Sequence, residues 1–525
     1  MMVRGGRTGP KIRRPRERGE KPELLLVTAV LTTSAALGSV SEAFNVHENS
    51  HHDTGISTAD LRPGGLDIVG INIVGINIAG AEIAHLNIAG LALISSPRAS
   101  NTASTTVPAK VTVTVPTTAS TSAVPALSVP DAPPAPFIGP VADPTEFVQG
   151  TQFLQELSLQ PLQGIGSYVR SHGAVVTQLL ANPPAPTLVT SWWSTLDLRV
   201  RNELRSASPN LVGNLDGIPY PIRNLANRAL LAGTIAQLQS TIKGESGRTV
   251  IENAKVQLKM LQSISDALGD SSANPRRSLM TLDVTGQGRA AIVLGNLGTA
   301  RYVSYLVPGM FFTIENQMGD WVDAAGNLYD EQLSWLALLD KDAASQSVAT
   351  VAWIGYHTPN LTNVGGIENA DEGRDSLANA IEGLQSIRKG NEPYTTIIAH
   401  SYGSTAALMA LTEYDFHVDA LALVGSPGSP AKSVKDLHVT PGHVWVGEAA
   451  WDPIPNSSYF GSDPGSATYG AKPMGVGGGL DSLTDVALLA STGHNEYFSA
   501  GTESMRNFAL IAINQGQFVT AATAR

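Results

Sequence analysis

The stretch YTTIIAHSYGSTAALMAL, residues 394–411, decides how the chain reads. Thr395 to Ile398 are all β-branched, and an alanine-rich pattern at helical spacing follows Gly403. Between them Ala399-His400-Ser401-Tyr402-Gly403 form a turn. Strand, tight turn and helix with a serine at the turn is the layout of a nucleophile elbow, here with Ala399 where a G-x-S-x-G string has its first glycine. The chemistry explains the small neighbours, because strand and helix must approach closely on either side of the serine. The hydroxyl then stands above the sheet beside a helix N-terminus, where the amide of Tyr402 can point at a developing oxyanion. An A-x-S-x-G string also occurs in ordinary strand–helix turns. The strand before it and the helix after it favour the elbow.

Outward from the elbow, strands alternate with helices. Arg289–Gly295, Ala300–Val307 and Ser347–Ile354 read as strands before it, with a helix over Glu368–Ile387. Val418–Val424 and His443–Glu448 read as strands after it, and Thr502–Asn514 as a last helix. Such alternation predicts an α/β fold, a mostly parallel sheet with helices on both faces. Residues 145–270 read as a helical layer before the sheet, with helices over Pro221–Ile242 and Val250–Leu268. A structural layer is the default reading, a cap over a site the functional one. Trp192-Trp193 and Ile218–Tyr220 are expected to pack this layer on the next.

A serine is a weak nucleophile without a base, and the base needs an acid to orient it. Asp452 follows the apolar run HVWVGEAAW and precedes Pro453, which is expected to end the strand and leave Asp452 at its carboxyl end. Asp436, Asp463 and Asp481 compete with it. His494, in STGHNEY just before the last helix, holds the position of a loop that returns a base over the serine. His417, His438 and His443 are its competitors. His400 lies beside Ser401 on the strand, so its side chain is expected to point away and serve the core or the surroundings of the site. Val307-Pro308-Gly309-Met310 ends an early strand, and the amide of Met310, with Phe311 next, is the candidate second oxyanion donor; a plain turn is the alternative.

Composition bounds the partners. The first 23 residues hold eight basic and three acidic side chains, so the remainder carries a formal −16 against −11 for all 525 residues. A body this acidic is not expected to bind nucleic acid. With no cysteine, disulfides, iron–sulfur clusters, thiolate zinc sites and a cysteine nucleophile are all excluded. Residues 1–43 pair a basic stretch with the apolar run Leu24–Leu37 and read as an export signal. Within 44–98, His47, His51 and His52 read as a solvated leader rather than a metal site. From Leu66 a five-residue period (LDIVG, INIVG, INIAG) suits a short β-solenoid. Residues 99–144, rich in Pro, Ser and Thr, read as a disordered linker or stalk. The expected setting is secreted or cell-envelope associated.

Several segments together resemble an actinobacterial α/β-hydrolase family long labelled as a domain of unknown function. They are NLDGIPYPIRNLANR, YLVPGM, VAWIGYHTP, IIAHSYGS, LVGSPG, AAWDPI and GHNEYF, in that order between about Val175 and Asn514. The strand–helix region over 271–525 reads as the catalytic domain, and the resemblance implies Ser401 as nucleophile, Asp452 as acid, His494 as base and Gly309-Met310 at the oxyanion turn. It departs from the family at Ala399. The expectation is a serine hydrolase acting on an ester-containing small molecule or lipid through an acyl-enzyme, with no metal or organic cofactor. Acyl transfer by the same triad is one rival; a surface-binding or assembly protein on a silent hydrolase scaffold is the other.

Overall fold

The computed structural model describes residues 144–522 apart from 271, 340–346 and 456, together with Asn77–Ile78 and Ala81–Glu82. The chain divides into two units. In the one spanning 44–139, Asn77–Ile78 pairs antiparallel with Ala81–Glu82. The export signal, the rest of the five-residue period and the linker lie outside the described residues.

Eight strands form the central sheet: β1 Arg277–Asp283, β2 Arg289–Gly295, β3 Tyr302–Val307, β4 Val348–Ile354, β5 Tyr394–His400, β6 Ala420–Val424, β7 Val444–Gly447 and β8 Lys472–Pro473. Their order is β1-β2-β4-β3-β5-β6-β7-β8. β2 is antiparallel to both its neighbours, and all other pairings are parallel. The central strands β3, β4 and β6 are buried along their whole length, as a sheet covered on both faces requires.

Helices α1 Pro144–Ser158, α2 Leu162–Ser171, α3 Gly173–Ala181, α4 Pro186–Thr195, α5 Leu198–Ala207, α6 Pro209–Asn214, α7 Tyr220–Lys243 and α8 Arg248–Leu268 precede the sheet. Among its connections, α9 Ile314–Leu339 joins β3 to β4, α10 Glu368–Ile387 joins β4 to β5, and α11 Tyr402–Glu413 joins β5 to β6; α12 Glu503–Ala512 comes last. Strand side chains alternate between two cores. Val303, Tyr305, Val351, Trp353, Ile397 and Leu423 face α10 and α11. Tyr302, Leu306, Ala352, Ile398 and Val424 face α8, α9 and α12. No described helix is long and apolar enough to cross a membrane.

The helical layer is joined to the β1 end of the sheet by side-chain amides. Asn214 pairs with Leu282 in both directions, accepting from its amide at 2.9 Å and donating to its carbonyl at 2.9 Å. Asn224 accepts from the Leu279 amide at 2.9 Å, Asn227 donates to the Leu279 carbonyl at 3.3 Å, and Arg228 donates to the Arg277 carbonyl at 2.9 Å. A bulge between Leu279 and Thr281 moves the next outward backbone groups to Leu282. The segment NLDGIPYPIRNLANR therefore closes an edge that would otherwise expose unpaired backbone. Buried Arg223 pairs with Asp216 and donates to the Gly213 carbonyl at 3.0 Å, holding the turn between α6 and α7. Tyr220 joins the α10–α11 core as expected, but Trp193 and Ile218 belong to the layer's own core. Trp192 also turns inward, donating to the Leu154 carbonyl at 2.8 Å and the Ser158 hydroxyl at 2.7 Å. The layer packs on β1, α9 and α10, along the flank of the sheet.

At the other edge the chain end covers β8. The amide of Gly475 donates to the Thr520 carbonyl at 2.8 Å, Met474 bridges antiparallel to Ala521, and Ala522 donates to the Pro473 carbonyl at 3.4 Å. Neither β1 nor α9 shows a clean hydropathy pattern. β1 has a broken burial pattern, and α9 is interrupted by two glycines and several acids.

Candidate active site

β5 ends at His400, and α11 begins at Tyr402. Ser401 between them adopts φ 52°, ψ −132°, a left-handed conformation that costs a non-glycine residue about 1–3 kcal/mol. Its surroundings hold it there. Its amide donates to the Val424 carbonyl at 3.0 Å, and its carbonyl accepts from the Ser404 hydroxyl at 2.6 Å. A serine at a helix N-cap ordinarily caps the helix with its hydroxyl, yet Ser401 makes no cap bond. Close approach explains the neighbours: a Cβ on Gly403 would lie 2.2 Å from the Pro308 carbonyl oxygen, and one on Gly309 would lie 2.6 Å from Ser401 Cβ.

The Ser401 hydroxyl instead lies 2.7 Å from His494 Nε2. His494 Nδ1 lies 3.0 Å from each carboxylate oxygen of Asp452. All three residues are buried. A carboxylate can only accept, so Nδ1 carries the proton and Nε2 accepts from the serine. Three supports fix this line. The Tyr497 hydroxyl donates to Asp452 Oδ2 at 2.6 Å while accepting from the Ala449 amide at 2.8 Å. The Ile454 amide donates to Asp452 Oδ1 at 3.0 Å. His400 Nε2 donates to the His494 carbonyl at 2.7 Å. Gly425, at φ 58°, leaves the necessary room, since a Cβ there would lie 2.8 Å from His494 Cε1 and 3.0 Å from Asp452 Oδ2.

The electrostatics follow from burial and partners. Burial alone would raise the Asp452 carboxyl, but bonds and charge from His494, with the Tyr497 hydroxyl and the Ile454 amide, hold it below its ordinary value. Burial, then the neighbouring carboxylate, raise the Tyr497 hydroxyl well above 10, so it stays a donor. Burial, then repulsion by His494, push His400 down to about 3. His400 is therefore neutral, and with Nε2 donating, its buried Nδ1 is left without a partner.

The turn after β3 packs directly on Ser401. The Tyr356 hydroxyl donates to the Pro308 carbonyl at 2.8 Å, and the Phe311 amide donates to the Pro359 carbonyl at 3.0 Å. Phe311 is held at φ 62°. As the first residue of α11, Tyr402 has no carbonyl one turn back to accept from its amide. Its phenol donates to the Gly366 carbonyl at 2.7 Å and accepts from the Ala370 amide at 3.0 Å, tying the elbow to α10.

Ser401, Asp452 and His494 thus come together, with Tyr402 and the Met310 turn beside the serine. One expectation is corrected. Asp452 does not close β7, which ends at Gly447. The chain leaves the sheet because Ala449 donates to Tyr497 and Ala450 pairs with Thr492, whose neighbour Gly493 donates to the Ala450 carbonyl at 2.8 Å. The competing acids are engaged elsewhere: Asp436 caps a 3₁₀ turn with Ser433, Asp463 accepts from the Gly465 amide, and Asp481 pairs with Arg506. Of the competing histidines, His417 lies against Thr440, His438 against the Tyr414 carbonyl and His443 against the Asp419 carbonyl. Tyr497, Gly425 and Tyr356 lay within the quoted motifs, but only the geometry gives them roles. Among the described residues no group of three or more His, Asp or Glu is arranged to hold a metal ion.

A family described as alpha/beta hydrolase matches residues 283–462. An uncharacterized protein of Mycobacterium tuberculosis is 26% identical over 377 residues, which cover 62% of this chain and 55% of that protein. The chain thus spans about half the length of the curated relatives it matches first. An uncharacterized protein of Mycobacterium bovis is 30% identical over 215 residues, covering 39% of this chain and 78% of that one. Among solved structures, an S-formylglutathione hydrolase from Agrobacterium tumefaciens superposes with a TM-score of 0.27 at 12% identity, over 45% of this chain and 95% of its own. A carboxyl esterase from Tuber melanosporum gives 0.27 at 11%, over 50% and 98%.

Proposed function

We propose that this chain, which belongs to the alpha/beta hydrolase family matched across residues 283–462, is a serine hydrolase cleaving carboxylic esters. The observation that carries the proposal is the unbroken line from the Ser401 hydroxyl through His494 to Asp452. The Ser401 oxygen attacks the ester carbonyl carbon as its proton passes to His494 Nε2. Asp452 keeps the other nitrogen protonated and stabilises the imidazolium. The carbonyl oxygen becomes an oxyanion facing the amides of Tyr402 and Met310, each donor of this kind being worth about 10²–10³ in rate. Collapse expels the alcohol, which takes the proton from His494. Water then attacks the acyl-enzyme, giving its proton to His494, and the acid leaves as Ser401 regains its hydrogen. The basic leader and apolar run before residue 43 support export of the enzyme.

Labelling with a fluorophosphonate probe and turnover of p-nitrophenyl esters test this reading. Ser401→Ala should remove both while the melting curve is kept. Labelled wild type with a folded mutant that retains turnover would end the assignment. An added alcohol that captures most of the acyl group would turn the reading toward acyl transfer.

A further inference from the structure

Five of the exposed large apolar side chains come from two segments that lead into the site. Trp451, 91% exposed and held at φ 64°, directly precedes Asp452. Leu480, Leu483, Val486 and Leu489 project from a hairpin in which Gly479–Leu480 pairs with Ala487–Leu488. The chain runs on through Ala490 and Ser491 to Thr492, which pairs with Ala450, the residue before Trp451, so both segments are tied to the loop that carries His494.

The hairpin has a rigid base. Asp481 forms a buried ion pair with Arg506 of α12 at 2.7 Å, and its carbonyl and amide close the tip with Asp485 and Val486. Glu503 accepts from the Gly478 amide at 2.9 Å and donates its own amide to the Leu489 carbonyl at 3.0 Å. Nothing in the fold requires the apolar tip to face outward, since its anchors are polar and lie at its base. Charge selects the occupant. Between 477 and 490 there is no Lys or Arg, Asp481 is consumed by Arg506, and Asp485 is the one exposed ionisable group. A chain with a formal charge of −11 gains nothing from an anionic bilayer. Apolar side chains with an aromatic at their margin match an uncharged lipid–water boundary.

We propose that the hairpin 479–490 and Trp451 seat the molecule on an uncharged lipid phase, so that the esters reaching Ser401 come from aggregated neutral lipid. The substrate part rests on the esterase reading; the seating does not. Flotation with a triolein emulsion reads binding without catalysis, and Ser401→Ala should float like wild type. The fourfold variant L480S/L483S/V486S/L489S should bind the emulsion at least about tenfold less. It should hydrolyse soluble p-nitrophenyl acetate at the wild-type rate and emulsified triolein at least about tenfold more slowly. Leu483→Ser alone, at the tip, should show the same direction with an unchanged melting curve. Wild type that fails to float, binds phosphatidylglycerol vesicles in preference, or forms a dimer that the fourfold variant dissolves would overturn the proposal. If flotation is lost in the variant while Ser401→Ala keeps full turnover, the esterase reading fails and the seating stands.

Discussion

The β1 edge and the carboxyl ends of β3, β5 and β7 are built from opposite choices. At the edge, Asn214, Asn224, Asn227 and Arg228 satisfy outward backbone groups of β1 with side chains and none of the four has a positive φ, although Asn227 Oδ1 is itself buried without a partner. At the site, Phe311, Ser401 and Trp451 all take left-handed φ values, and His400 buries a nitrogen without a partner. The first region lowers the free energy of the fold. The second raises it, and the surrounding hydrogen bonds hold it in place. A substitution at the edge should therefore cost stability and spare turnover, and a substitution in the site should cost turnover far more than stability.

Asp452→Asn breaks the comparison hardest if it is wrong. An amide can donate to His494 Nδ1 and favour the wrong tautomer, so turnover should fall about 10⁴-fold. The melting curve should also shift down. The amide keeps the carboxylate's shape, but its NH2 must face one of the two donors, Tyr497 or Ile454, that the carboxylate accepts from. That costs about 1–3 kcal/mol, far less than the loss in turnover. Near-normal turnover would reassign the acid while leaving Ser401 and His494 in place.

The double variant Asn214→Ala, Asn224→Ala probes the other side. It strands backbone groups of Leu279 and Leu282, at about 1–3 kcal/mol each. Urea unfolding should show that loss, with kcat on a soluble ester within about twofold of wild type. A larger fall in kcat than in stability would mean that the layer acts on the site across the sheet.

His400 sharpens the boundary between the two. Its folded pKa, about 3, lies below the unfolded value of about 6.5. Between those values the unfolded chain binds a proton that the folded chain refuses, so stability falls as pH drops through that window, by up to about 1.4 kcal/mol per pH unit. Asp452 works in the same direction lower down: its stabilisation is full above about 3.9 and is lost as pH falls through its depressed folded value. His400→Gln should flatten the slope of unfolding free energy between pH 6.5 and 4. An unchanged slope would show that His400 is not the group refusing the proton.

The two regions also differed in how far the sequence disclosed them. The elbow was legible because four β-branched residues, a small-residue turn and an alanine-rich helix follow one another within Tyr394–Leu411. His494 and Asp452 were legible through chain order. Tyr497 was not, because its role lies in two hydrogen bonds to residues about 45 positions away, Asp452 and Ala449. β7 is shorter than its apolar run suggests for the same reason. HVWVGEAAW is apolar throughout, but from Ala449 its backbone pairs with the His494 loop instead of the sheet. The segment NLDGIPYPIRNLANR announced itself as a motif, yet nothing in its pattern says that its asparagines serve β1.

Those asparagines have a consequence for how copies of the chain meet. A sheet grows by strand addition only where it offers a bare edge. Here one end is stopped by amide side chains and the other by the chain's own Thr520–Ala522, beside a strand whose second residue, Pro473, has no amide hydrogen to offer. The eight strands are thus a closed count. Self-association of the folded domain is left to helices and loops, and ordered polymerisation through the sheet must begin by pulling one of those two stoppers away.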